Sequence, residues 1–402
     1  MKILHIVGGD LKGGAARGAY WLHLGLKNLG IDSKILTNSE TTIDDDSIVT
    51  ISRSNYFLII SLIRRIINGL LVRIYPRRKK MIFSTGFFGI DITKTNEYNE
   101  ADIIQLHWIN ENFINIKSLS KIKKPLIWTL RDMWPFTGGC HVAEVIQCTN
   151  YMQGCGNCKQ LGSNKSNDLS KLIYKRKKKY LPKKTRIIGI SNWISHKAKE
   201  SLLLKDFNIK TISNNIDIES FTEINKKFAR EILQIKTTKK IISFGAASLT
   251  DKWKGFDILL QALEKLDHKD FFLIIFGNNN ENLLKNSSFE YKYCGYLNNN
   301  YSLSTVYSAS NVFVSPSYVE SFGKTIAESM LCGTPAVCFD ATGSKDIISH
   351  KIDGYLAKSF DISDLAYGIS WIANSPDYSK LSKMASNKIK NKFSSNTIAK
   401  KY

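Results

Sequence analysis

The stretch from Ser317 to Cys338 holds the residues best suited to chemistry. Two carboxylates, Glu320 and Glu328, flank the pair Phe322-Gly323, which is typical of a turn that opens a helix. The apolar run from Pro335 to Phe339 is typical of a buried strand. This order predicts Glu320 on a loop, backbone N–H groups at a helix N-terminus and Glu328 inside that helix. Such a site can hold a diphosphate on its N–H groups and sugar hydroxyls on its carboxylates.

The spacing of the two carboxylates alone fits solvated charges beside a helix equally well, and it is the surrounding residues that favour a site. The run Glu320-Ser321-Phe322-Gly323-Lys324-Thr-Ile-Ala-Glu328, with Gly333-Thr-Pro335 behind it, resembles the signature of retaining family-4 glycosyltransferases of GT-B fold. The resemblance extends from Met1 to about Ser375. Within the family it is greatest to exopolysaccharide and O-antigen enzymes of the colanic-acid type.

The resemblance implies an α/β protein of GT-B fold, with two Rossmann-like, doubly wound parallel-sheet domains facing a cleft. Residues 1–210 would form the acceptor-binding domain, with a Cys-rich loop at 138–160. Residues 211–385 would bind the nucleotide sugar, and a helix in 386–402 would pack back on the first domain. Alternating strand-like and helical periods along the chain independently favour parallel α/β sheets.

The second half contributes the cation that such a donor site needs. Lys254-Gly255 matches the family's lysine that neutralises the donor diphosphate, where a fixed cation stabilises the leaving group. Relatives often carry an arginine where Ala246 stands, and Lys252 is the candidate to replace it. Two exposed lysines before a helix remain the alternative. By the same resemblance, Glu320 would hold sugar hydroxyls and Glu328 ribose hydroxyls, with Ser321, Phe322, Gly323 and Lys324 around the diphosphate.

The first half offers donor and acceptor candidates at three strand ends. Gly13 and Gly14 open a helix and would line the donor side of the cleft, while Arg17 would reach a phosphate or the acceptor. Asp132 can accept a hydrogen bond from a sugar or acceptor hydroxyl and is a catalytic candidate. Arg131 stands where many relatives carry histidine and cannot act as a base. His107 can face the acceptor, although a histidine at a strand end is more often structural.

Four cysteines, Cys140, Cys148, Cys155 and Cys158, lie within nineteen residues. Four thiolates can satisfy a tetrahedral structural zinc ion, so we predict a possible structural zinc, with free thiols or disulfides as alternatives. The reaction itself needs no cofactor under this interpretation, because Lys254 supplies the positive charge.

The net charge of +22 points to anionic partners. No nucleic-acid module is recognisable, so nucleic acid is not an expected partner. Residues 56–80 combine an apolar run with basic residues, which fits either an interfacial helix on an anionic membrane or a core helix with a basic end. The N-terminus is typical of a first strand rather than a signal peptide. We therefore expect a cytoplasmic protein, peripheral on the inner face of the cytoplasmic membrane.

The function predicted from the sequence is transfer of a sugar, with retention of configuration, from a nucleotide-diphosphate sugar to a saccharide acceptor, expected to be lipid-linked. Cell-surface polysaccharide biosynthesis is the implied setting. Two alternatives stay open at this point. One is a GT-B enzyme that uses a soluble acceptor or epimerises a nucleotide sugar. The other is a non-catalytic protein that binds a nucleotide sugar, against which Glu320, Glu328 and Lys254 argue.

Overall fold

The fold is described from a computed structural model of residues 1–51, 55–278, 284 and 287–402, in which residues 55–58 are described by backbone alone. The chain divides into two compact units. The first comprises Met1–Asn214 with Ile398–Tyr402, and the second comprises Asn215–Thr397. Each unit is built on a single parallel sheet.

The first unit has a seven-stranded sheet in the order β3-β2-β1-β4-β5-β6-β7. Every pairing is parallel. Its strands are β1 (Lys2–Val7), β2 (Asp32–Thr37), β3 (Ile48–Thr50), β4 (Ile103–Leu106), β5 (Leu126–Leu130), β6 (Arg186–Gly189) and β7 (Ile209–Thr211). Its helices are α1 (Gly14–Asn28), α2 (Asn55–Arg73), α3 (Asn96–Glu100), α4 (Leu169–Tyr180) and α5 (Asn192–Glu200).

The second unit has a six-stranded parallel sheet in the order β10-β9-β8-β11-β12-β13. Its strands are β8 (Lys240–Ser248), β9 (Phe271–Asn278), β10 (Glu290–Tyr293), β11 (Val312–Ser315), β12 (Ala336–Phe339) and β13 (Gly354–Ala357). Its helices are α6 (Lys226–Ile232), α7 (Phe256–Leu263), α8 (Asn300–Ala309), α9 (Lys324–Leu331), α10 (Ile362–Ala373) and α11 (Tyr378–Phe393). The last helix, α12 (Ser395–Ala399), leads into the final residues of the chain.

Apolar strands buried on both faces hold each unit together, as expected of parallel sheets covered by helices. In the second unit, Phe244 and Val314 of the sheet pack in one cluster with Leu259 of α7 and Ile369 of α10. In the first unit, smaller clusters join α1 to β1 and β2.

Both sheets reverse their strand order once, and candidate residues lie on loops that follow the strands at these reversals. In the first unit the reversal lies between β1 and β4, and in the second between β8 and β11. The carboxyl ends of strands at such a reversal leave a crevice in which doubly wound folds bind ligands. The loops that follow β8 and β11 contain Lys254 and Glu320, and the loop after β1 contains Gly13.

Candidate active site

Lys254 is placed by a single helical turn followed by a glycine that cannot be replaced without strain. A 3-10 turn at Lys252–Lys254 leads through Gly255 into α7. Gly255 has φ +74°, and a Cβ atom there would lie 2.1 Å from the carbonyl oxygen of Pro316. The absence of a side chain at this position lets the loops after β8 and β11 approach each other. Lys252, at the start of the turn, is exposed.

Glu320 forms an ion pair with Lys254, although the two residues belong to separate sequence motifs. Lys254 Nζ is 2.5 Å from Glu320 Oε1, and the two side chains are 28% and 15% exposed. Ser317 Oγ donates to the same carboxylate oxygen at 3.3 Å. The backbone N–H of Tyr318 donates to the carbonyl oxygen of Trp253 at 2.9 Å and ties the two loops together. A half-buried ion pair at a strand-end crevice is well placed to meet a charged ligand.

The main chain of Glu320 is held from the other side by the segment after β12. Its N–H donates to Thr342 Oγ1 at 3.2 Å, and its carbonyl oxygen accepts from the N–H of Gly343 at 2.8 Å. A Cβ atom on Gly343 would lie 2.2 Å from the carbonyl oxygen of Ser321. Both main-chain polar groups of Glu320 are therefore held by hydrogen bonds.

Helix α9 begins directly after this loop without a side-chain cap. Gly323 occupies the N-cap position with φ +100° and makes no capping hydrogen bond through a side chain. Phe322 is buried, whereas Ser321 and Lys324 are half-buried. An N-terminus of this kind attracts anions through its N–H groups and the helix dipole. The predicted diphosphate site therefore has the local geometry it needs, while its ligand stays a prediction.

Glu328 lies inside α9, as predicted, but its carboxylate is buried. Only 3% of the residue is exposed, and Tyr307 of α8 donates a hydrogen bond to Oε2 at 3.2 Å. Tyr307 was not identified from the sequence, because nothing local to it signals a contact with a residue in the next helix. The ribose-binding role of Glu328 stays a prediction.

The predicted residues of the first unit fall into two places. Gly13 and Gly14 begin α1, and a Cβ atom on either would meet no other atom within 4 Å. Their surroundings are open, which suits the approach of a ligand to the backbone. Arg17 lies on the first turn of α1, with its guanidinium 5.9 Å from the centre of the Trp21 ring. Arg131, Asp132 and His107 lie at the carboxyl ends of β5 and β4.

The carboxylate of Asp132 is anchored by three donors. Trp108 Nε1 donates to Oδ2 at 2.9 Å, and the N–H of Trp134 donates to Oδ1 at 2.9 Å. His141 Nδ1 lies 2.7 Å from Oδ2, and its other ring nitrogen lies 2.8 Å from Ser84 Oγ. The side chain of Asp132 is 18% exposed. The order Ser84–His141–Asp132 links a hydroxyl through an imidazole to a carboxylate. Neither Ser84 nor His141 was identified as a site residue from the sequence.

Arg131 and His107 are buried rather than presented at a surface, and they form part of a hydrogen-bonded chain. Arg131 Nη1 donates to Asn214 Oδ1 at 2.5 Å, and Nη2 donates to His107 Nδ1 at 3.2 Å. His107 Nε2 then lies 2.9 Å from His5 Nδ1. Burial lowers the pKa of both imidazoles well below the ordinary value, and the nearby guanidinium adds to the effect on His107. Burial also lowers the pKa of Arg131 to about 10.

The series of hydrogen bonds continues from His5 to the carboxylate of Asp45. The groups at its two ends decide which atom donates in each hydrogen bond. His5 Nε2 is 3.1 Å from Ser33 Oγ, which is 2.8 Å from His23 Nδ1. His23 Nε2 is 3.0 Å from Ser47 Oγ, and Ser47 donates to Asp45 Oδ1 at 2.5 Å. Because Arg131 can only donate and Asp45 accepts, every link is satisfied when all three imidazoles are neutral and carry the proton on Nε2.

The four predicted zinc ligands line one small cavity. All are free thiols. The backbone N–H of Gly138 donates to Cys155 Sγ at 3.1 Å. The interaction between the thiols of Cys140 and Cys158 raises the pKa of Cys140 and lowers that of Cys158. As the side chains stand, no three His, Cys, Asp or Glu residues in the described ranges form a ready-made metal site. The zinc stays a prediction.

Helix α2 presents its apolar residues outward. Six aliphatic side chains on this helix are between 38% and 58% exposed: Ile59, Leu62, Ile63, Ile66, Ile67 and Leu70. At 100° per residue they form one continuous face, whereas the polar Asn68 accepts a hydrogen bond from the buried Thr85. The core-helix alternative for this segment is therefore wrong for the residues whose side chains are described; those of Tyr56 and Phe57 lie outside them. No helix in the described residues is long and apolar enough to span a bilayer.

Proteins similar to this chain include glycosyltransferases. Residues 225–392 match the family model described as Glycosyl transferases group 1. An uncharacterized 41.2 kDa protein in the cps region of Klebsiella pneumoniae is 22% identical over 72% of this chain and 74% of its own length. The capsular polysaccharide biosynthesis glycosyltransferase CapM of Staphylococcus aureus is 25% identical over 53% of this chain and 59% of its own.

Solved structures share the architecture of the whole chain at low identity. Sucrose-phosphate synthase from Thermosynechococcus elongatus has a TM-score of 0.69 at 17% identity, covering 100% of this chain and 97% of that one. Anabaena HepE in complex with UDP-glucose has a TM-score of 0.63 at 16% identity, covering 100% and 98%. With two parallel-sheet α/β units and glycosyltransferase neighbours of this kind, the fold is GT-B, as predicted.

Proposed function

We propose that this chain, whose second unit carries a glycosyltransferase group 1 domain, transfers a sugar from a nucleotide-diphosphate sugar to a saccharide acceptor in cell-surface polysaccharide biosynthesis. The observation that carries the proposal is the Lys254–Glu320 pair beside the uncapped N-terminus of α9. A cation, N–H donors and a carboxylate acceptor then converge at the strand ends where doubly wound folds bind nucleotides.

In the proposed reaction, Lys254 and the N–H groups at the start of α9 stabilise the negative charge that develops on the departing diphosphate. Glu320 accepts hydrogen bonds from the hydroxyls of the donor sugar and keeps its anomeric carbon in place. Because the cation is supplied by a side chain, the proposed chemistry needs no metal ion.

The proposed stereochemical outcome is retention of anomeric configuration. The resemblance to retaining family-4 enzymes supports it. In this scheme the acceptor hydroxyl approaches the same face of the sugar that the diphosphate leaves. The departing phosphate oxygen takes the proton of the acceptor hydroxyl as the new glycosidic bond forms. No side chain forms a covalent bond to the sugar.

The proposed acceptor is a lipid-linked saccharide at the inner face of the cytoplasmic membrane. The outward apolar face of α2 supports this part of the proposal, since an exposed stripe of that length is unusual for a monomeric soluble protein. Basic residues continue from the helix, at Arg73, Arg77, Lys79 and Lys80, and no acidic residue occurs between Asp46 and Asp91. An apolar face with basic flanks is the composition that binds an anionic bilayer surface.

The experiment that tests the proposal offers the purified chain UDP-, GDP- and ADP-sugars, with and without a bacterial membrane lipid extract. We expect nucleotide release from one donor, stimulated by the extract, and a glycosylated lipid product of retained configuration. A product with inverted configuration would contradict retention alone. Nucleotide binding without turnover under any condition would contradict the enzymatic proposal and favour a binding protein.

A further inference from the structure

The first unit contains a cavity of about 360 Å³. It lies between helix α2, the loop that follows α2 and the loop that follows β4. Its volume is within the range of small-molecule sites. One wall is formed by α2, through Asn68, Gly69 and Val72, and the opposite wall by residues 81–86 and 109–112. Since residues 109–112 follow β4, this part of the wall lies at the carboxyl end of that strand, beside the reversal of strand order.

Three arginines are among the residues that line this cavity, Arg65, Arg73 and Arg78. Arg65 and Arg73 are exposed on α2, and Arg78 is half-buried, with Nη1 donating to the carbonyl oxygen of Tyr75 at 3.3 Å. Glu111, an exposed residue, is the one acid among the lining residues. The lining therefore carries a net positive charge, and guanidinium groups bind phosphate in a bidentate manner.

Two residues that line the cavity, Asn110 and Asn112, carry acceptors that lack a donor. The side-chain oxygens of Asn110 and Asn112 are buried and receive no hydrogen bond within the described part of the chain. Asn110 as a whole is 4% exposed. A buried carbonyl oxygen without a donor costs free energy unless a ligand or water supplies one, and a sugar hydroxyl is such a donor.

The same cavity is linked to the anchored carboxylate of the first unit through Ser84 and His141. Ser84 lines it, and its hydroxyl lies 2.8 Å from His141 Nε2, which leads to Asp132. Around α2, the cavity residues Arg65, Gly69 and Arg73 lie next to the outward apolar face that contains Leu62, Ile66 and Leu70. A ligand in the cavity would therefore have polar groups inside and an apolar surface beside its exit.

We propose that this cavity binds the phosphate and first sugar of a phosphate-linked saccharide, with its lipid tail lying along the outward apolar face of α2. The arginines hold the phosphate, and the side chains of Asn110 and Asn112 turn their amide oxygens toward the cavity to accept from sugar hydroxyls. The inference rests on the proposed function and deepens it, because it assigns the chemical class of the acceptor and the residues that recognise it.

The test titrates the full chain with farnesyl phosphate below its micelle concentration, and separately with glucose 1-phosphate, by calorimetry. Arg73→Gln/Arg78→Gln is the main variant, and Arg64→Gln on the same helix, outside the cavity lining, is its matched control. The exposed Arg65→Gln serves if the double variant fails to fold. Loss of charged hydrogen bonds to phosphate should weaken binding of both probes by about tenfold or more. The control should bind both as the unaltered chain does.

Farnesyl phosphate should bind the unaltered chain more tightly than glucose 1-phosphate, and Ile66→Ser should remove that advantage. Equal binding of the two probes would overturn the lipid assignment in favour of a soluble phosphorylated sugar. Equal binding of farnesyl phosphate to the unaltered chain and to the arginine variants would overturn the proposal that this cavity binds the phosphate. Titration of the same preparations with UDP, GDP and ADP separates these results from failure of the proposed donor site.

Discussion

Lys254 and Glu320 lie 66 residues apart in the chain, yet Lys254 Nζ is 2.5 Å from Glu320 Oε1. The pairing follows from topology, because β8 and β11 are neighbours at the point where the strand order of the second unit reverses. A ligand with a diphosphate would compete with Glu320 for the ammonium group, and its sugar hydroxyls would compete with Lys254 for the carboxylate. The pair thus keeps each group oriented toward the crevice before the ligand binds.

Gly255 is predicted to be essential for this pairing. In Gly255→Ala, the left-handed backbone and the clash with Pro316 should together destabilise the second unit by about 1–3 kcal/mol and separate Lys254 from Glu320. Denaturant unfolding and turnover measure the two effects. Gly295→Ala is the matched control, because Gly295 also has positive φ but has open space around it. Equal, small effects of the two substitutions would show that the close approach of the loops does not matter.

Much of the fold could be predicted from the sequence because its strands are short apolar runs. Apolar runs in the sequence predict strands at Leu126–Leu130 and Ile48–Ser52. The structure has the first unchanged and the second as Ile48–Thr50, with Ser52 outside the described residues. Strands β7 and β13 were missed. The first is three mostly exposed residues at a sheet edge, and the second begins with a glycine, so neither shows a clear apolar run.

The candidate site was predictable only where one local motif contained it. Glu320, Gly323 and Glu328 share a single loop and helix, so their order in the chain sets their order in space. The partners Tyr307, Ser84 and Thr342 come from other segments and carry no local signal of the contact. The pairing of Lys254 with Glu320 likewise needed the strand order, which periodicity alone does not provide.

The four cysteines are predicted to bind about one zinc ion per chain. Binding requires the cysteines to lose their thiol protons, and the N–H of Gly138, which points at Cys155 Sγ, would stabilise the thiolate of Cys155. Elemental analysis of the purified protein measures the metal. Cys155→Ser should lose it, while Cys294→Ser, outside the cluster, should retain it. A metal-free chain that folds stably in the presence of zinc would contradict the prediction.

Stability is predicted to fall on acidification because of the buried histidine chain. Burial and Lys27 lower the pKa of His23 to about 4, although Asp45 opposes the shift. In the unfolded chain, His23 has an ordinary pKa near 6.5. Between pH 4 and pH 6.5 the unfolded chain therefore binds more protons than the folded chain. The contribution of His23 to the free energy of unfolding should be fully present above pH 6.5. It should decrease by up to about 3 kcal/mol as the pH falls toward 4.

His23→Gln should flatten that pH dependence, since an amide can accept from Ser33 and donate to Ser47 without titrating. The pKa values of His5 and His107 are also lowered, so part of the dependence should remain. His196→Gln, at an exposed position, is the control and should keep the full slope. Urea unfolding at several pH values measures the effect. A slope that is unchanged in His23→Gln would show that His23 does not titrate in this range.

The outward face of α2 is predicted to bind anionic bilayers. The chain should sediment with vesicles containing phosphatidylglycerol and much less with phosphatidylcholine alone. Ile66→Glu should reduce binding to the anionic vesicles by placing a carboxylate in the apolar stripe. Ile232→Glu, which changes an equally exposed isoleucine in the second unit, should not. Equal binding of the two variants would assign membrane affinity to the net charge rather than to α2.

The most direct test of the central claim is nucleotide release from the preferred donor sugar by Lys254→Ala and Glu320→Ala. The control is Glu290→Ala, which removes an exposed carboxylate that is paired with Lys239 at the amino end of the edge strand β10. We predict that both site variants fold but lose turnover by about a hundredfold or more, while the control retains it. Near-normal turnover in either site variant would contradict the assignment of the Lys254–Glu320 pair to the donor.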